Sequence, residues 1–153
     1  MLRDRKYEGF SLIEILIVVG LILILAAVTI VAINPAKHFQ DTRNAERSAD
    51  VSEILNAVTQ YLAEGAVEGD DGLDGLGVPL CEDEDGVEAT ASIGKADVDL
   101  ESILVDEYIV EIPTDPSDGD AEETGYEICR TLGGRIEISA PNAEGDEEIA
   151  VRR

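Results

Sequence analysis

A run of 24 almost entirely apolar residues, from Phe10 to Ile33, dominates the hydrophobic pattern of the chain, and Glu14 is the only charged residue in it. As a helix rising about 1.5 Å per residue, the run would extend about 36 Å, enough to cross a hydrocarbon core of about 30 Å. A secretory signal has a shorter apolar region, of about 7–15 residues, followed by a cleavage site. The pattern therefore predicts a retained membrane helix.

Beyond Asn34-Pro35, which should interrupt the helix, the pattern becomes amphipathic. Over residues 41–62 the apolar positions recur at helical spacing, and the predicted inward face consists of Val51, Ile54, Leu55, Val58, Tyr61 and Leu62. The predicted polar face consists mostly of Arg47, Asp50, Glu53 and Gln60. The alternative is an independent helix that lies in the membrane interface. The polar face carries few Lys or Arg residues, which counts against that alternative.

The Gly- and Asp-rich residues 65–86 predict a long acidic loop, and a short helical turn is predicted near Asp99–Leu104. Strand signals follow only after these segments. Residues 126–131 and 135–140 predict a β-hairpin joined by Leu132-Gly133-Gly134, and residues 148–152 a third strand. A long helix followed by antiparallel strands indicates an α+β fold, with the helix packed on a small sheet.

Charge is distributed very unevenly along the chain. The formal net charge is −23, yet residues 1–50 hold six basic and six acidic side chains, so the whole excess lies in residues 51–153. A surface this acidic repels phosphate, which excludes nucleic acid as a direct partner. Arg3, Arg5 and Lys6 precede the apolar run and place the N-terminus in the cytoplasm, with the acidic part outside it.

The residues around Glu14 resemble the N-terminus of the type IV pilin and pseudopilin family. A short charged leader ends in Gly9, Phe10 follows, and Glu14 is the fifth residue after the Gly. The resemblance implies that a prepilin peptidase cuts between Gly9 and Phe10, that Phe10 is N-methylated, and that Glu14 directs assembly into a filament. It also implies an inner-membrane assembly platform as a partner.

The C-terminal part is similar, more loosely, to major pseudopilins of type II secretion and related bacterial pilins. The stretch from Ile112 to Pro116 and the Gly125-Tyr126 pair before the hairpin carry this similarity. In calcium-binding pseudopilins the ion lies in the corresponding loop, so the resemblance implies Ca²⁺ at Asp115, Asp118 and Asp120, whose oxygens suit that ion. The alternative is a solvated acidic turn.

Cys81 and Cys129 are the only cysteines. In an oxidising extracytoplasmic space they could form a disulfide that ties the acidic loop to the sheet; two free thiols are the alternative. No Cys or His spacing typical of zinc or redox sites is present, and no catalytic motif appears, which predicts a protein that is not an enzyme and needs no cofactor except, at most, Ca²⁺.

The sequence thus predicts a leader (1–9), a transmembrane and filament-core helix (10–33), an amphipathic helix (34–64), and a head of acidic loop and sheet (65–153). The predicted function is a structural subunit of a type IV pilus or pseudopilus filament, whose main partners are copies of itself and the membrane. The alternative is a single-span anchored domain that binds ions or a partner and never polymerises. An enzyme with an unrecognised site is a more distant alternative.

Overall fold

The computed structural model describes residues 9–64, 75–82 and 89–153. The predicted leader, apart from Gly9, and most of the predicted acidic loop lie outside these residues. The chain divides into two compact units, residues 1–38 and 39–153. From here on we call the second unit, residues 39–153, the head; it is longer than the predicted head, residues 65–153.

The first unit contains helix α1, Leu12–Ile33, which begins two residues later than predicted. Its sequence is apolar on all sides, and it has no buried residue. It is the one helix among the described residues that is long and apolar enough to cross a membrane. The helix ends at Asn34, whose left-handed backbone (φ 48°) separates α1 from a second helix that starts at Pro35. The interruption predicted at Asn34-Pro35 is confirmed.

The second helix, α2, spans Pro35–Glu64, and its residues from Phe39 onward belong to the head. Proline suits the first helical position because the missing N–H would have no helical partner there. The predicted inward face is largely confirmed, since five of its six residues are buried: Val51, Ile54, Leu55, Val58 and Tyr61. Leu62 is 39% exposed, and Arg47, predicted on the opposite face, is fully buried. Both of those predictions were wrong.

The head contains a four-stranded antiparallel sheet in the order β1-β2-β3-β4, and the short helix α3, Glu101–Leu104. The strands are Ala91–Ser92, Glu127–Arg130, Ile136–Ser139 and Ala150–Arg152. The predicted hairpin is β2-β3, in which Ile128 pairs with Ile138. The predicted third strand is β4, while the two-residue β1 was not predicted. With α2 packed on this sheet, the predicted α+β, pilin-like fold is confirmed.

The core of the head lies between α2, the sheet and the segments that connect them. Ile54 and Val58 of α2 are fully buried, as are Ile128 and Ile138 of the central strands. Burying a side chain of this size contributes roughly 1.5–3 kcal/mol. Tyr126, just before β2, is also fully buried, and its hydroxyl donates a hydrogen bond to Asp50 at 2.5 Å. The sheet is therefore attached to α2 by polar as well as apolar contacts.

Candidate functional site

The N-terminal site consists of the residues that precede and begin α1. Gly9 and Phe10 are exposed and lie outside the helix, and Ser11 is the extended residue before its first turn. The backbone amides of Glu14 and Ile15 both donate hydrogen bonds to the Ser11 carbonyl, at 3.1 and 3.2 Å. The Gly9–Phe10 peptide bond is thus exposed and lies outside the helix.

Glu14 lies in the first turn of α1 and is exposed. It is the only charged residue of that helix. A carboxylate costs about 2.5 kcal/mol or more at the centre of a membrane helix; near the end of the helix, Glu14 can keep part of its hydration or must find a cationic partner. The helix N-terminus favours a negative charge, which offsets part of this cost.

A second polar site, which the sequence did not predict, lies inside the head around Arg47. Its guanidinium is fully buried and binds Asp115 through two nitrogens, Nε to Oδ2 at 2.7 Å and Nη2 to Oδ1 at 3.2 Å. It also donates to the hydroxyl of Ser117 at 2.9 Å and to Glu144 at 3.3 Å. The sequence signal was available: Arg47 precedes Val51 by four residues and so shares its helical face.

Asn44 completes this cluster and ties the segment around Glu144 to α2. Its side-chain oxygen accepts the Glu144 backbone amide at 2.9 Å, while its amide donates to the Glu144 carbonyl at 2.8 Å and to Glu147 at 2.9 Å. Arg43 adds a two-pronged ion pair with the Glu144 carboxylate. We call Asn44, Arg47, Asp115 and Glu144 the arginine cluster; it joins α2 to two loops distant in sequence.

The arginine cluster changes the pKa of both of its carboxyl groups. Hydrogen bonds from Arg43 and then Arg47 lower the pKa of Glu144 to about 2, against the opposing effect of desolvation. For Asp115, burial on its own would raise the pKa, but hydrogen bonds from Arg47 and from the Ser117 amide hold it below its ordinary value. Both groups are therefore ionised at neutral pH.

These lowered pKa values predict an acid-sensitive head. A carboxyl whose pKa is lower in the folded than in the unfolded state stabilises the fold above the unfolded pKa, about 4, and loses that effect as the pH falls through the folded value, about 2 for Glu144. We expect the difference in unfolding free energy between the wild type and Glu144→Gln to shrink between pH 6 and pH 2.5, measured by urea unfolding. A pH-independent difference would contradict this.

The three aspartates predicted to bind calcium do not form one ligand set. Asp115 is occupied by Arg47 and by the Ser117 amide (2.8 Å), and Asp120 accepts the amides of Glu122 (2.8 Å) and Glu123 (3.0 Å). Asp118 is exposed. Among the described residues, the one group of side chains close enough to share an ion is Cys81, Cys129 and Glu137. The three aspartate side chains therefore do not lie together as a group of ligands in this structure, and Ca²⁺ binding stays a prediction.

Gly119 explains why this loop folds around its own hydrogen bonds. A Cβ at that position would lie 2.3 Å from the Asp115 nitrogen and 2.4 Å from the Thr124 oxygen. The Asp115 amide donates to the Thr124 carbonyl at 2.7 Å across the same gap. The close backbone approach holds Asp115 against Arg47 instead of presenting it to solvent.

Cys81 and Cys129 are joined by a disulfide, with their Cα atoms 4.9 Å apart. Backbone hydrogen bonds flank it, from the Cys81 amide to the Arg130 carbonyl (2.9 Å) and from the Arg130 amide to the Pro79 carbonyl (2.8 Å). The bond attaches residues 75–82 to β2. The cysteines are consequently not available as metal ligands beside Glu137.

Reduction of this disulfide should destabilise the head substantially. The two cysteines are 48 positions apart, and closing a loop of that size restricts the unfolded chain by about 4 kcal/mol. We expect the midpoint of urea unfolding to fall when dithiothreitol is added. The Cys81→Ser/Cys129→Ser variant serves as the control, because its midpoint should not respond to dithiothreitol; an unchanged wild-type midpoint would show that the bond contributes nothing.

Comparison with known proteins finds a match that includes the N-terminal site. Residues 4–30 match the family model of the prokaryotic N-terminal methylation motif. No curated protein and no solved structure shows significant similarity to the chain. The motif is the class III prepilin signature; it supports a type IV pilin-like precursor that a prepilin peptidase processes, with a single membrane span and its head outside the cytoplasm.

Proposed function

We propose that the chain is cut between Gly9 and Phe10, is methylated on the Phe10 nitrogen, and polymerises through α1 into a pilus or pseudopilus filament. The observation that carries this proposal is a prepilin motif on a helix that is apolar on every side and has no buried residue. Lipid can cover such a surface in the membrane. Outside the membrane, this surface must be covered by other apolar surfaces. Copies of the same helix are the simplest way to provide them.

Cleavage supplies the cation that Glu14 lacks. Hydrolysis of the Gly9–Phe10 bond leaves a carboxylate on Gly9 and an amine on Phe10 that is protonated at neutral pH. This ammonium lies four residues before Glu14, a separation of about one helical turn. If neighbouring helices are staggered by that distance, the ammonium of one copy lies against the Glu14 carboxylate of the next.

Such a pair acts more on register than on stability. Two charges leaving water lose hydration, and their attraction roughly repays that loss only when the geometry is good. Any stagger that leaves either charge alone among apolar side chains is strongly disfavoured. Glu14 would therefore select the axial offset between copies, while the apolar surface of α1 supplies the packing.

The head suits the outside of a filament. It carries seven basic and 31 acidic residues, a formal charge of −24, and this charge keeps it hydrated. Proteins with the prepilin motif are structural rather than enzymatic. The proposed role is accordingly that of a structural subunit, with prepilin peptidase and a membrane assembly platform as its partners during assembly.

Two measurements test the proposal. Mass spectrometry of the mature chain should find N-methylated Phe10 as the first residue, and electron microscopy of sheared surface or periplasmic material should show filaments that contain it. A chain that begins at Met1 and stays monomeric in the membrane would support the alternative, an anchored domain that does not polymerise.

A further inference from the structure

One cation of the head has no partner within the described residues. Six of the seven basic side chains of the head are engaged, five of them with a carboxylate or an amide oxygen: Arg43, Arg47, Lys95, Arg130, Arg152 and Arg153. Arg135 is the exception, since only its backbone makes hydrogen bonds, with Thr131. An unpaired, exposed cation in a domain with charge −24 calls for an explanation.

Arg135 lies at the tip of the β2-β3 hairpin, next to an exposed apolar side chain. The Leu132 side chain is 73% exposed. Gly133 and Gly134, which lie between Leu132 and Arg135, have no side chains that could cover it. The turn is held in shape by the Gly134 amide, which donates to the Thr131 carbonyl at 2.8 Å. The hairpin tip, residues 131–135, thus presents one leucine and one cation on a fixed turn.

A groove elsewhere on the head offers the opposite combination. It has a volume of about 420 Å³, and its apolar lining includes Leu100, Val105, Val110, Ile112 and Pro113; Glu111 also lines it. Val110 is 88% exposed, and Glu111 is exposed without a partner among the described residues. Lys95, which also lines the groove, is already paired with Glu101 at 2.9 Å. The groove therefore has apolar surface and a free negative charge.

The hairpin tip cannot occupy the groove of its own chain. Thr124 lines the groove and precedes β2, whereas the tip follows β2. The four residues of β2 alone place the hairpin tip about 13 Å from Thr124. Only a second copy can bring a tip to the groove.

We propose that the hairpin tip of one head docks in the groove of a neighbouring copy, with Leu132 against the apolar lining and Arg135 paired with Glu111. This inference rests on the proposed function for its partner. Two different surfaces meet, so the contact is head-to-tail, and a head-to-tail contact that does not close into a ring propagates as a helical filament. The heads would then carry a second set of contacts beside those of α1.

A charge exchange in the full-length chain tests the ion pair. Arg135→Glu and Glu111→Arg should each reduce the amount of filament in the sheared fraction about tenfold, because each places like charges together. The double variant should recover most of the wild-type amount. Asp146→Arg, which changes another exposed carboxylate outside the groove, is the matched control and should assemble normally.

Cross-linking separates this inference from the proposed function. In cells that express Leu132→Cys and Val110→Cys chains together, oxidation should join the two different chains, whereas either variant alone should give no dimer. Filaments without the cross-link, or a double variant that does not recover, would overturn the docking contact and leave the filament intact. A cross-link without filaments would support the contact and overturn polymerisation. If neither a cross-link nor filaments were found, both the contact and polymerisation would be overturned.

Discussion

Replacing Arg47 by Ala is expected to lower the unfolding free energy of the head by about 3–5 kcal/mol, the usual result of removing one partner of a buried ion pair. The carboxylate of Asp115 is as buried as the guanidinium, so without Arg47 it would be an uncompensated charge in the core. Asn44, Ser117 and Glu144 would lose a partner in the same step. Urea unfolding of a fragment that covers residues 39–153 measures the effect.

Two further variants show whether the loss comes from the unpaired charge. Arg43→Ala removes the neighbouring, partly exposed arginine and should lower the unfolding free energy much less than Arg47→Ala does, because solvent screens a partly exposed pair. Arg47→Met combined with Asp115→Asn removes both charges, and the side-chain oxygen that remains at position 115 could still accept the Ser117 amide, so the double variant should be more stable than Arg47→Ala. An Arg47→Ala head within about 1 kcal/mol of the wild type would contradict the buried pair.

The repetitive parts of the fold were predictable from sequence because each carries a long local signal. The apolar run of α1 and the helical spacing of Val51, Ile54 and Val58 each extend over several turns, and the hairpin has two glycines between alternating segments. Strand β1 has only two residues, Ala91 and Ser92, and alternation cannot show over so short a length. Its position depends on pairing with Glu127 and Ile128, which is a long-range property.

The arginine cluster was not predicted because its partners are far apart in sequence. Arg47 and Asp115 are separated by 68 positions, and an arginine in an amphipathic pattern is normally solvent-exposed. The sequence around Asp115 is acidic, so it did not indicate that the carboxylate of Asp115 would pair with a buried cation. The residues of the N-terminal motif, by contrast, are contiguous in sequence, so their spacing alone was sufficient to recognise the motif.

Replacing Glu14 by Gln is expected to abolish or severely reduce filaments while leaving membrane insertion intact. Glutamine keeps the size of the side chain and its hydrogen-bonding oxygen but cannot neutralise the ammonium of a neighbouring Phe10. That ammonium would then lose its hydration without gaining an opposite charge, which penalises every arrangement of packed helices. Insertion should if anything be easier, because the only charge of α1 is removed. Membrane fractionation and electron microscopy of sheared material measure the two effects separately.

The N-terminus of the Glu14→Gln chain decides between two causes of lost filaments. If mass spectrometry finds Phe10 as the first residue, processing is intact and the defect lies in the pairing of charges between copies. Glu53→Gln, an exposed position of α2, makes the same chemical change outside α1 and should assemble like the wild type. Normal filaments from Glu14→Gln would show that helix packing alone sets the stagger, and the role assigned to the carboxylate would have to be abandoned.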